Sequence, residues 1–145
     1  MKKNRGFTLI ELLVVIIIVG ILAAVAVPMM QGYRKQAMLT EAKAALGTIQ
    51  TAQIAYYQEH GSYWDGWLKD GEYIDGSGPG DFDGTYFSEE TIRVEGGGEF
   101  TAYMHLNDPM FPNNAPKASE AAKTFPDGSW ICLNVRGVFE DSGDF

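Results

Sequence analysis

Only one cysteine, Cys132, occurs in 145 residues, so no intrachain disulfide can form, and neither a zinc ribbon nor a CxxC redox pair can be assembled. Stability must come from packing. Histidine is nearly as scarce, and neither His60 nor His105 belongs to a Ser, His and Asp spacing or accompanies a phosphate-cradling glycine motif. The two read as a helix-end and a strand-surface residue, and the chain is expected to be no enzyme and to use no cofactor. Positive charge is also in deficit, with 11 Lys and Arg against 19 Asp and Glu and a formal net charge of −8. A broad basic face for neutralising phosphates is therefore lacking, and nucleic acid is not an expected partner.

What is present is unevenly distributed. Lys2, Lys3 and Arg5 precede the first apolar run, and most acids lie far downstream. Residues 7–30 read FTLIELLVVIIIVGILAAVAVPMM, with Glu11 as the one ionisable side chain. As a helix, this stretch would extend about 36 Å, enough to cross a hydrocarbon core of roughly 30 Å. The basic residues before it would hold the chain start in the cytoplasm, although Arg34 and Lys35 on the far side make the asymmetry modest.

A cleaved secretory signal has the same outline: a basic start, an apolar run and Ala24-Val25-Ala26 as a small-x-small cleavage site, giving a secreted binding protein that begins near Val27. Hydropathy does not separate the two. Two features favour retention. An ionised carboxylate costs about 2.5–3.5 kcal/mol at mid-membrane on insertion scales, and a discarded segment has no use for one. Helical period also continues from Tyr33 onward with no turn cluster between.

Lys2, Lys3, Arg5, Gly6, Phe7, Thr8, Leu9, Ile10 and Glu11 together resemble the start of a type IV pilin or type II secretion pseudopilin precursor. The resemblance implies a leader of residues 1–6, a cut between Gly6 and Phe7 by a membrane-embedded prepilin peptidase, and N-methylation of Phe7. It further implies that Glu11 of an incoming subunit meets the Phe7 amine of one already docked, within a homo-oligomeric helical filament raised by inner-membrane machinery. The precursor would sit in the inner membrane as a single pass with a cytoplasmic N-terminus, and the product would be an extracellular pilus or, for a pseudopilin driving export, a periplasmic filament. Physically, an amine and a carboxylate in low dielectric attract strongly, and each also pays to leave water. The alternative for Glu11 is that it snorkels or caps its own helix start.

Residues 33–60 place Ala42, Ala45, Leu46, Ile49, Ala52 and Tyr56 at spacings of three and four, one face of an amphipathic helix. Arg34, Lys35, Glu41, Lys43, Gln50 and Gln53 are expected on the solvated side. Pro28, with Gly20 and Gly32, predicts a kink or local melting. Gly61 is expected to stop the helix. The stretch AYYQEHGSY has a weaker likeness to the helix end of pilin-like chains, and the two likenesses together cover about the first 63 residues.

Residues 64–88 read as a long surface loop without a regular strand. Strands are expected at 91–94, 100–106, 130–135 and 138–139, with Phe100, Ala102, Met104 and Leu106 on one face of the second. Residues 107–123 read as a loop with one helical turn. The expected architecture is α+β, a long N-terminal helix on a small antiparallel sheet, with segments 1–6, 7–30 and a body of 31–145. Asp75, Asp81 and Asp83 among glycines are weak calcium candidates, without the EF-hand spacing, and the competing reading is a solvated acidic loop. Cys132 reads as a small buried hydrophobe.

Overall fold

The computed structural model describes residues 7–70, 82, 84–111 and 113–143. The chain divides into two units, Met1–Gln36 and Ala37–Phe145. Helix α1, Leu9–His60, supplies all the regular structure described in the first and the opening element of the second.

In the first unit the helix continues unbroken through Gly20, Pro28 and Gly32, so of the kink or local melting expected there the melting is not seen. Proline removes one donor and crowds the carbonyl four residues before it. That is a limited cost for a helix of 52 residues, whose remaining bonds hold it. Its C-terminus matches expectation. Gly61 has φ +73° and its N–H donates to the Tyr57 carbonyl at 2.9 Å, the single bond of a left-handed cap.

The second unit is a five-stranded antiparallel sheet in sequential order. Its strands are β1 Gly66–Trp67, β2 Ile92–Glu95, β3 Thr101–Asn107, β4 Ser129–Asn134 and β5 Phe139–Asp141, and a short helix α2, Ala118–Thr124, precedes β4. Three of the four expected strands shift by a residue. β1 departs from the expectation that residues 64–88 carry no regular strand. Gly66 and Trp67 have little strand signal of their own and pair with Val94 and Arg93 only because their flanks are pinned. Tyr63 N–H donates to the Gly97 carbonyl at 3.0 Å, and Asp65 accepts from Gly96 N–H at 3.0 Å and from Arg93 at 2.9 Å.

The core lies between the second half of α1 and the inner sheet face. Met38, Ala42, Leu46, Ile49 and Gln53 are the buried helix positions, and they meet Ile92, Val94, Phe100, Ala102, Met104, Leu106, Ile131 and Leu133 from the strands. Burying each Leu or Ile side chain stabilises the unit by about 1.5–3 kcal/mol. Alternation in β3 is complete, with Ala102, Met104 and Leu106 inward and Tyr103 and His105 outward. Turns fall where glycine was expected to permit them: Gly128 has φ +81° before β4, and Gly137 has φ +77° between β4 and β5. Cys132 is buried and free, as expected.

The helix face contains two corrections. Gln53, assigned to the solvated side, is fully buried, and Glu41 is only partly exposed. Both side chains reach backbone of the connection that follows the helix, and these hydrogen bonds offset the cost of removing polar groups from water.

Candidate assembly site

Every side chain from residue 7 to residue 34 is exposed. This segment makes α1 long and apolar enough to cross a membrane. Leaving so many Leu, Ile and Val side chains uncovered is unfavourable in water, and at about 25 cal/mol per Å² the penalty accumulates with every turn. A lipid environment or neighbouring apolar helices remove that penalty.

Glu11 is placed by the geometry of the helix start. Thr8 immediately precedes α1, and Glu11 stands three residues later. Glu11 Oε2 accepts from Thr8 N–H at 2.8 Å and from Thr8 Oγ1 at 2.6 Å. Thr8 Oγ1 in turn accepts from Glu11 N–H at 3.3 Å. This is a capping box, in which two amides at a helix start are satisfied reciprocally by side chains. The self-capping alternative for Glu11 is therefore the one seen in the single chain. Thr8 was missed as its partner, although a Thr followed three residues later by Glu at the head of an apolar run carries that signal. Phe7 is exposed at the start of the helix, and Gly6 lies outside the described residues.

The other candidates separate from this site. Asp75, Asp81 and Asp83 lie outside the described residues. His60 ends α1, with Nδ1 3.1 Å from the Tyr56 carbonyl and its ring stacked on Tyr56. His105 lies on the outer sheet face, packed against Trp67 and Phe111, with Nδ1 3.7 Å from Asp108 Oδ2. Burial pushes its imidazole below the usual histidine range, and Asp108 opposes that shift.

An exposed apolar helix with one acid in its capped first turn, continuing into a helix-on-sheet body, defines a protein of pilin-like architecture. Residues 1–27 match the family described as the prokaryotic N-terminal methylation motif. The chain is 38% identical over 131 residues to the type IV major pilin protein PilE of Neisseria gonorrhoeae, covering 89% of this chain and 74% of that protein. It is 35% identical over 131 residues to a fimbrial protein of Neisseria meningitidis serogroup A, covering 89% and 72%. With the type IV major pilin protein PilA of Myxococcus xanthus it shares 44% identity over 63 residues, 43% of this chain and 29% of that one. The chain belongs to the type IV pilin family, a family of filament subunits and not of enzymes. Its relatives favour the pilin reading over the pseudopilin and secreted-protein readings.

Proposed function

We propose that this chain is a major subunit of a type IV pilus, made as an inner-membrane precursor with its first residues in the cytoplasm. Prepilin peptidase removes residues 1–6 between Gly6 and Phe7 and methylates the new amine. Inner-membrane machinery then adds the subunit to a helical filament of identical copies, whose core is built from the apolar segment beginning at Phe7.

The observation that supports this most directly is the state of that segment. Its apolar side chains are uncovered, and its one ionisable group sits at the end that cleavage would expose. Both hydrogen bonds from Thr8 fall on Glu11 Oε2. The second carboxylate oxygen is left for the amine of a docked neighbour, so the cap and the intersubunit pair are compatible. A carboxylate already holding two donors also costs less to place in low dielectric than a bare one.

Mass spectrometry of the mature chain tests processing, with N-methylated Phe7 as the expected terminus. A terminus near Val27 would mean that the apolar segment is discarded, and the proposal would fail. Glu11→Gln keeps the side-chain shape and removes the charge. Filament yield should fall at least tenfold while the amount of membrane-inserted precursor stays unchanged, since a change of about 1.4 kcal/mol in the docking equilibrium is already tenfold.

A further inference from the structure

The outer sheet face carries a second feature, unconnected with assembly through α1. Strand register brings Tyr103 opposite Cys132 and Cys132 opposite Glu140, and Trp130 lies two pairs further along β4. Since side chains alternate across a strand, Tyr103, Cys132 and Trp130 are on the same face, away from the core. Between them is a cavity of about 260 Å³, with Glu99, Arg136 and Glu140 also in its lining.

The walls are aromatic. Tyr103 and Trp130 have centroids 5.7 Å apart at 73°, an edge-to-face pair. Such a pair covers one face of one ring, and the remaining faces keep the negative potential that attracts cations.

The charge has the same sense. Among the described residues, the carboxylates of Glu95, Glu99 and Glu140 are seen in no ion pair. Their field is felt inside the cavity. Burial pushes the Tyr103 phenol up, and Glu95, Cys132 and Glu140 add to the shift. Burial and then Glu140 likewise raise the Cys132 thiol. Burial opposes a charge of either sign there, and the smaller contributions of Glu95 and Glu140 give the field a negative sense that a cation meets favourably. Arg136, exposed on the turn between β4 and β5, is the only cation in the lining among the described residues.

We propose that this cavity binds a small organic ammonium ion, placed against the Tyr103 and Trp130 rings and neutralised by Glu140 and Glu99. The volume corresponds to roughly eight or nine waters, which suits a tetramethylammonium-sized head group or the end of an alkylamine. An anion is repelled, and a neutral sugar, although its hydroxyls can donate to the carboxylates, does not neutralise them. Arg136 competes for the same field and weakens the site.

The test is calorimetric titration of the full-length chain in detergent, at constant ionic strength, with tetramethylammonium and with tert-butanol as a neutral analogue of similar shape. Tetramethylammonium should bind saturably and about tenfold tighter than tert-butanol. Glu140→Gln, on an exposed edge strand, should weaken it about three- to tenfold without altering tert-butanol, and Arg136→Gln should tighten it. Trp130→Leu should weaken it similarly. If that variant fails to fold by circular dichroism, the two charge variants still decide. N-acetyl-lysinamide distinguishes the source: tighter binding than tetramethylammonium assigns the cation to a protein lysine, and weaker binding to a free quaternary amine. Equal binding of tert-butanol, indifference to both charge variants, or no saturable binding would overturn the proposal.

Discussion

Gln53 and Trp64 are joined by both halves of an amide pair: Gln53 Oε1 accepts from Trp64 N–H at 2.9 Å, and Gln53 Nε2 donates to the Trp64 carbonyl at 3.1 Å. A side chain on the buried face of α1 thus replaces a strand neighbour for one residue of the chain leaving the helix. Trp64 stands two residues before β1, outside the strand ladder that pairs Gly66 and Trp67.

Replacing Gln53 by Leu fills the site with apolar atoms but leaves the Trp64 N–H and C=O unpaired. The expected loss is about 2–6 kcal/mol, one to three per orphaned group. Urea unfolding of the full-length chain in detergent, followed by near-ultraviolet circular dichroism, measures it.

Gly96 packs directly against the backbone of Trp64, and a Cβ at this position would collide with the Trp64 carbonyl. Backbone cannot move aside as a flexible side chain does. Gly96→Ala should therefore cost about 1–3 kcal/mol, whereas Gly98→Ala, with open space around it, should be nearly neutral. The pair compared in the same unfolding assay separates steric cost from a general loss of glycine.

Glu41 Oε1 accepts from the Tyr86 amide at 2.8 Å and the Phe87 amide at 3.0 Å, tying the segment before β2 to the helix. Glu41→Gln keeps an acceptor and should cost under about 1 kcal/mol. Glu41→Ala removes it and should cost about 1.5–3 kcal/mol, the range for hydrogen bonds to a charged group. Amide exchange at Tyr86 and Phe87 should accelerate in the alanine variant and remain near wild type in the glutamine variant.

His105 gives the body a pH dependence of defined sign. Its folded-state pKa is depressed below the ordinary 6.5, so between the folded value and 6.5 the unfolded chain binds more protons. Stability from this group is fully present above pH 6.5 and declines as pH falls below it. Unfolding midpoints compared at pH 7.5 and pH 5.5 should show that decline, and His105→Gln should flatten it.

Much of the architecture was legible in the chain. Helical period, the glycine stop at Gly61 and the strict alternation from Phe100 to Leu106 are local signals, and the structure follows each. The N-terminal methylation motif was also legible, because basic residues, an acid and an unbroken apolar run are properties of neighbouring residues. Gln53 and Glu41 were misplaced for the opposite reason. Polarity assigns a residue to solvent by default, and nothing within a helical turn reports that backbone groups of Trp64 or Phe87 will arrive opposite.

The sequence by itself determined the long helix, the segment that must be sheltered from water and the inward face of the sheet, all set by hydrophobic spacing along a few consecutive turns or pairs. Tertiary structure alone decided which polar side chains on α1 are buried, that Gly66 and Trp67 form an edge strand, and that Tyr103, Trp130 and Glu140 surround one cavity. These depend on strand register and on chain segments tens of residues apart meeting in space, and the energy of such contacts is written in no single stretch of the chain.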